Sequence, residues 1–422
     1  MKMPHERSGR KPRFAILLAA LLAIGALVPT LGGGVAAQEQ VEVRLTGWTS
    51  SPAEDQLLVQ VIADFQAKFP NITVKYEPVP AQYPTKLQTD LAAGNVADVF
   101  YGDSMFVPDL IASNVLLPLD EQMAAAGVKP EDFYPGLIAA FQNDGKTYGL
   151  PKDFSTLAMV YDQDALTAAG VTAAPTTWDE LRAAAQALKD EFGSPRIVIP
   201  ADIARYFAFH YANGGRVISE DGASIVLDSP EGLAALDFYY GLYRDELATT
   251  HADAGAEWPG DALAKDLGDI VFEGNWVFPF LQENAPDLKF GIAEMPAGAA
   301  GKSTLAFTVC YCIFQGTEQP EAAFELVNYL TGPEGMAKWT SLGLAMPARP
   351  GLAEAWLAEF PEREPFLLGG EYAQPWQLGP GGQRFYEDAN AEMQNLFAGQ
   401  IEPAEALTNM QGHAEEKIKL AP

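Results

Sequence analysis

The stretch Thr147–Asp162 constrains this chain most. In its second half Leu157, Met159 and Tyr161 alternate with Ala158 and Val160. Both alternating faces are apolar, the pattern of a strand buried on two sides. Its first half is polar, with Lys152, Asp153, Ser155 and Thr156, and Pro151 removes a backbone donor that a central strand position would need. A segment that is irregular first and a buried strand second fits a chain leaving one lobe and entering the next. Polar groups at such a crossing would face whatever lies between the lobes. An ordinary loop followed by an ordinary strand gives the same local pattern; the rest of the chain favours two lobes.

A length of 422 residues suggests two or three domains. Apolar content of 48% and charged content of 20% suffice for sizeable cores. Lys2, Arg7, Arg10, Lys11 and Arg13 precede an apolar run from Phe14 to Val28, and Val35-Ala36-Ala37 follow. That order reads as a secretory signal over residues 1–37, cut after Ala37. The apolar run is shorter than the roughly 20 residues of a membrane span. No cysteine follows the cut, so no lipid anchor is expected. The whole chain carries a formal charge of −29. A chain this acidic repels nucleic acid and anionic membranes, so neither is expected as a partner.

Val41, Val43 and Leu45 alternate as a first strand. Ser51 and Glu54 form a capping box with Pro52 at the first helical position, and Leu57, Leu58, Val61, Ile62, Phe65 and Phe69 form a helical stripe. Ile72, Val74 and Tyr76 alternate next, completing a strand–helix–strand unit of the parallel-sheet kind. Ligands of such sheets sit beyond the carboxyl ends of strands. Trp48 occupies that place after the first strand, and Asp103 after the strand Asp98–Tyr101. Each also has a purely structural reading, as a packed loop ring and a turn aspartate. Gln82-Tyr83 opens a helix that ends at Gly94. After the crossing, Thr177 and Glu180 cap a helix Trp178–Phe192 with Leu181, Ala185, Leu188 and Phe192 inward. Phe207 and Phe209 read as core, and Tyr206 as a phenol suited to a cleft wall. Phe290–Pro296 is a second candidate crossing, and the segment past Thr331-Gly332-Pro333 a third. Arg349, between prolines, reads as an exposed guanidinium, and Trp376 as another loop tryptophan.

Cys310 and Cys312 are the only cysteines, two apart in an apparent strand. That spacing holds their Cβ atoms too far apart for a disulfide, so two buried thiols are expected. His210, His251 and His413 lack metal-ligand spacing, and the acidic loop from His251 to Asp261 lacks calcium-loop order. No metal or cofactor is expected.

Taken together, Thr46-Gly-Trp48, Ala97-Asp98-Val99, Tyr148-Gly-Leu-Pro151 with Met159-Val-Tyr161, Pro175–Leu181, Asn213-Gly-Gly215, Leu227–Glu231, Gly274-Asn275-Trp276, Gln319–Phe324 and Met346-Pro-Ala-Arg349 resemble the extracellular sugar-binding proteins of ABC importers, the maltose-binding-like group. The resemblance runs over nearly the whole chain after residue 37. It implies an α/β, two-lobed periplasmic-binding-protein fold of type II, with a ligand cleft between lobes joined by crossing segments. The expected lobes are 38–151 with 294–333, and 152–293 with 334–422. By resemblance, Trp48, Asp103, Asp153, Trp276 and Arg349 match ligand-holding positions, with Trp376 and Gln82 matching less closely; Asn275, beside Trp276, and Tyr206, on its own chemistry, join them as candidates. Aromatic rings would cover the C–H faces of a sugar while charged groups take its hydroxyls. The implied protein is a secreted monomer, not an enzyme, working in the periplasm or at the outer cell surface. It would hand a mono- or oligosaccharide to membrane permease subunits. Phe307 and Thr308 stand where the family carries a small-residue pair, which bears on the size of the sugar. The alternatives are the same fold holding a polyamine, peptide or glycerol phosphodiester, and a secreted glycosidase built on an aspartate pair such as Asp103 and Asp153.

Overall fold

The computed structural model describes residues 40–49 and 51–420; the leader read at 1–37 lies outside them. The chain starts as expected. Strand β1 (Val41–Trp48) leads through helix α1 (Pro52–Lys68) to β2 (Ile72–Val79), then through α2 (Tyr83–Ala93) to β3 (Val99–Asp103). The Glu54 amide donates to Ser51 Oγ at 3.2 Å and Pro52 opens α1, so the cap satisfies amides that the first turn leaves unpaired. Leu57, Leu58, Val61, Ile62 and Phe65 are buried, while Phe69, past the helix end, is half-buried. Strand β1 runs parallel to both β2 and β3, so the carboxyl ends of β1 and β3, at Trp48 and Asp103, fall on one edge.

Two sheets follow from the crossing segment. Strand β4 (Gly149–Thr156) belongs to the first sheet and β5 (Ala158–Asp162) to the second, with Leu157 alone between them. The second sheet adds β6 (Ile197–Val198), β7 (Ala248–Thr249), β8 (Ile270–Glu273) and β9 (Phe290–Ala293), in the order β9-β5-β8-β6-β7. The chain then returns: β10 (Thr304–Ile313) and β11 (Ala373–Pro375) complete the first sheet in the order β11-β10-β3-β1-β2, with β4 also paired to β10. The two crossings are tied together. The Leu157 amide donates to Thr304 Oγ1 at 3.0 Å, and that hydroxyl donates to the Leu157 carbonyl at 2.7 Å.

Helix α3 (Trp178–Phe192) has the expected limits and buries Leu181, Ala185 and Leu188. Phe192 departs from the expectation of an inward side chain. It is 41% exposed on the last turn, where the Arg196 guanidinium lies 4.9 Å from its ring. Helix α4 (Ile203–Ala212) packs on α5 (Pro230–Arg244), and α6 (Val277–Asn284) follows β8. After β10, α7 (Pro320–Thr331) meets α8 (Pro333–Trp339), which turns back onto α1 instead of crossing between the sheets. Lys68 pairs with Glu334 and Lys338 with Asp64. Gly335 makes the turn possible, since a Cβ there would lie 2.2 Å from the Tyr329 carbonyl oxygen. The return to the second sheet comes later, where α9 (Gly382–Phe397) and α10 (Pro403–Lys417) pack on each other and on α4 and α5.

Cys310 and Cys312 are buried, unbonded thiols with their sulfurs 3.2 Å apart. Glycines on both flanking strands leave room for them. A Cβ at Gly102 would come within 2.7 Å of the Cys312 sulfur, and one at Gly149 within 2.4 Å of the Cys310 sulfur. Between Val309 and Cys310 the pairing with β4 shifts: Val309 faces Asp153 and Cys310 faces Pro151, leaving Lys152 as an extra residue. That bulge turns two consecutive side chains, Lys152 and Asp153, toward one another.

Candidate ligand site

Four aromatic rings form a continuous wall at the meeting of the two sheets. Trp276 follows β8, Phe307 lies on β10, Trp376 follows β11 and Tyr386 lies on α9. Ring centroids are 5.6 Å apart for Trp276 and Phe307, 5.5 Å for Phe307 and Trp376, and 5.5 Å for Trp376 and Tyr386. Hydrogen bonds and an ion pair extend the wall from both ends. The Tyr386 hydroxyl donates to Asp202 Oδ2 at 3.1 Å, while Asp202 Oδ1 caps α4 by accepting from the Ala204 amide at 2.6 Å. Arg205, one turn along α4, donates through Nη2 to both oxygens of Glu273, at 2.8 and 2.7 Å. Trp276 Nε1 donates to Glu273 Oε2 at 2.7 Å. Burial and the adjacent Asp202 carboxylate push the Tyr386 phenol up, so it stays a donor. Trp276, Phe307, Tyr386 and Arg205 keep part of their surface exposed, so the wall is not sealed core.

The first sheet contributes its carboxyl edge. Trp48 packs edge-on against Tyr83 and Tyr101, each at 5.2 Å, and remains half-buried. Asp103 ends β3, with Oδ1 accepting from the Met105 amide at 2.8 Å. Burial lifts its pKa to about 6 against the lowering effect of that hydrogen bond. The next residue ties this edge to the aromatic wall, because Ser104 Oγ donates to the Trp376 carbonyl at 2.7 Å.

Five residues singled out in the sequence sit elsewhere or are already engaged. Gln82 is exposed at the start of α2, in a left-handed conformation with φ of 54°. Asp153 is buried, its Oδ2 accepting from Lys152 Nζ and from Trp339 Nε1, both at 2.6 Å. Arg349 is not an exposed guanidinium. It lies 4.4 Å from the Phe133 ring, donates from Nε to the Thr331 carbonyl at 2.6 Å and stands 3.6 Å from Asp132. Asn275 is fully buried. Its Oδ1 accepts from Ser155 Oγ at 2.9 Å and its backbone amide donates to the same hydroxyl at 2.9 Å, linking the segment after β8 to β4, while its Nδ2 has no hydrogen-bond partner among the described residues.

Tyr206 is likewise interior and not part of a cleft wall, because α4 is buried on nearly every side. Its hydroxyl donates to the Gly232 carbonyl at 2.9 Å and lies 3.2 Å from His210 Nδ1. Tyr206→Phe is therefore expected to cost about 1 kcal/mol in chemical denaturation, by removing the buried hydroxyl's bonds to the Gly232 carbonyl and His210, with solute affinity unchanged. A large change in affinity at unchanged stability would return Tyr206 to the binding surface.

The residues that sequence reasoning passed over are Asp202, Arg205, Glu273 and Tyr386. Two carried a readable signal. Glu273 is the one charge in Ile270–Glu273 and stands at the carboxyl end of that strand. Arg205 is the one permanent cation on the otherwise apolar face-to-face helix Ile203–Ala212.

Comparison with known proteins agrees with this architecture. A model of the bacterial extracellular solute-binding protein family matches residues 60–365, well over half of the chain. A binding protein of Brucella abortus is 29% identical over 403 residues, covering 90% of this chain and 93% of its own length. The arabinooligosaccharide-binding protein of Bacillus subtilis is 22% identical over 327 residues, 72% of each chain. An ABC substrate-binding protein of Listeria monocytogenes, solved with cycloalternan, superposes with a TM-score of 0.82 at 22% identity, covering 90% of this chain and 99% of its own. That likeness establishes the type II periplasmic-binding-protein fold. With two sheets joined by crossings, and with this family model matched over most of its length, the chain belongs to the bacterial extracellular solute-binding proteins.

Proposed function

We propose that the protein is the substrate-binding component of an ABC importer, capturing a mono- or oligosaccharide between two lobes and delivering it unchanged to membrane permease subunits. The observation that carries this reading is the Trp276–Phe307–Trp376–Tyr386 wall flanked by Arg205 and Glu273. Rings offer faces to sugar C–H groups, and the partly exposed Arg205 guanidinium, oriented by the fully buried Glu273, offers directional donors to hydroxyls. Trp48, Asp103, Trp276 and Trp376 are the ligand contacts of choice. The names of the relatives, one binding arabinooligosaccharide and one solved with cycloalternan, support a sugar. One lobe is best drawn as 40–156 with 304–375, the other as 158–293 with 382–417, since these ranges share sheets and helix packing. Among the described residues no helix is long and apolar enough to cross a membrane. Glycosidase chemistry needs two available carboxyls, and Asp153 is engaged by Lys152 and Trp339. A tryptophan-fluorescence titration against mono- and oligosaccharides tests the reading, with saturable binding and unchanged sugar expected. Hydrolysis products, or binding of non-sugar solutes alone, would overturn it.

The reading carries a pH dependence. Ionised Asp103 accepts a sugar hydroxyl with both oxygens free of protons; protonated, it loses acceptor capacity. Affinity is expected to rise by up to about tenfold as pH rises through about 6, and Asp103→Asn to flatten that profile. In the sugar-free protein the sign is opposite. The folded pKa lies above the unfolded value near about 4, so this group's stabilising contribution is present in acid and is lost as pH rises to about 6. Calorimetric titrations on both sides of that range, with and without the substitution, check both signs.

A further inference from the structure

We infer that Asp109 is a positioning residue for the ligand site: from the first lobe it caps α9, the second-lobe helix that carries Tyr386, and so holds Tyr386 against the loop that carries Asp103. The inference rests on the carbohydrate reading above. Helix α9 runs for 16 residues and begins after Gly381, which stands at φ of 89° and offers no side chain to its own helix. The first turn of α9 holds no acidic residue. Amides at such a helix start need an acceptor, and the partial positive charge there favours a carboxylate. Asp109 supplies both from the short helix Val107–Ala112. Its Oδ1 accepts from the Gly381 amide at 2.9 Å and lies 3.8 Å from Arg384 Nη2.

The donor is fastened to the second lobe. The Lys419 amide donates to the Pro380 carbonyl at 2.9 Å, and a Cβ at Gly381 would lie 1.8 Å from the Lys417 carbonyl oxygen, so the end of α10 lies directly over this turn. The acceptor belongs to the first lobe, in the segment that leaves β3 at Asp103. Met105 bridges the joint. Its amide donates to Asp103 Oδ1 at 2.8 Å, its side chain is buried, and its sulfur would lie 3.0 Å from a Cβ at Gly382. The segment from Asp103 to Asp109 is thus seated on the start of α9, and Tyr386 follows within that helix. A sugar lying on the aromatic wall and reaching Asp103 meets groups from both lobes. The Asp109 bond sets their spacing before the sugar arrives, which lowers the ordering cost of binding. Without it the competent arrangement is populated a smaller fraction of the time, and apparent affinity falls by that fraction.

The test compares wild type, Asp109→Ala, Asp109→Asn and Arg384→Ala. Calorimetry uses the mono- or oligosaccharide that binds wild type best in the titration above, and hydrogen exchange follows residues 378–387 without and with that sugar. Asp109→Ala is expected to weaken binding about threefold to tenfold and to speed exchange, with saturating sugar restoring protection. Asp109→Asn keeps an oxygen for the Gly381 amide, guards against loss of folding and is expected to weaken binding less. The Arg384 side chain is 64% exposed. Its truncation is expected to change affinity by less than about twofold. Faster exchange with wild-type affinity in Asp109→Ala reduces Asp109 to a structural cap and overturns the positioning role; unchanged exchange overturns the cap itself. An Arg384→Ala loss equal to that of Asp109→Ala assigns the effect to the ion pair and overturns the inference as well. Each of these leaves the carbohydrate reading intact. Failure of every sugar to bind wild type overturns that reading, while the exchange comparison, which needs no sugar, still decides the cap.

Discussion

Trp276→Ala is expected to weaken sugar binding on the order of 30- to 100-fold, the range of an aromatic anchor at the centre of a binding surface. Three losses combine. The ring face goes, Phe307 loses its edge-on partner at 5.6 Å, and Glu273 loses the indole donor at 2.7 Å that fixes one of its oxygens. Arg205, 5.8 Å from the indole, then holds Glu273 alone. Trp276→Phe separates these contributions, because it keeps an aromatic face and removes the donor. Its affinity should fall between those of wild type and the alanine variant. Isothermal titration is the suitable measurement, since fluorescence loses its reporter. Alanine-variant affinity within about threefold of wild type would remove Trp276 from the ligand surface.

Lys152→Ala should be the most destabilising single change at the crossing, at about 3–5 kcal/mol. Lys152 and Asp153 are both buried, their side chains 5% and 9% exposed, and Nζ lies 2.6 Å from Oδ2. The ammonium also stands 3.8 Å from the Trp339 ring centroid and 4.9 Å from that of Tyr101. Truncating the lysine leaves a carboxylate in the interior with only the Trp339 indole as its named side-chain donor. The double change Lys152→Met with Asp153→Asn removes both charges and should recover most of the loss. Urea unfolding of the three proteins measures this. A single-variant loss below about 1 kcal/mol would mean that water reaches the pair.

The segment containing this pair was legible in outline and opaque in detail. Alternation at Leu157–Tyr161 marked the strand that enters the second sheet, whereas the half read as an irregular connection is itself a buried strand of the first, Gly149–Thr156, with Pro151 paired to Cys310; the passage is made at Leu157. Neighbouring strand residues ordinarily point to opposite faces. Nothing in the sequence announced the bulge that turns Lys152 and Asp153 together, because it arises from the register of β4 against β10. Arg349 was misread for a related reason. Prolines on both sides suggested a rigid, exposed side chain, whereas Thr331, Asp132 and Phe133 receive it from elsewhere in the chain.

Caps, apolar periods and glycine stops act within a few residues, so the sequence by itself determined the first strand–helix–strand unit, several principal helices and the strand after Leu157, while Gly149–Thr156, Ala248–Thr249 and Ala373–Pro375 became strands only through their pairing in the fold. The helix Trp178–Phe192 needed no tertiary information to be placed. Which polar groups remain open to a ligand was decided only by the folded chain. Asn275 finds Ser155 across 120 positions, and Asp153 finds Trp339 across 186. A side chain's availability depends on whether such a distant partner satisfies it, and no local pattern records where that partner will be.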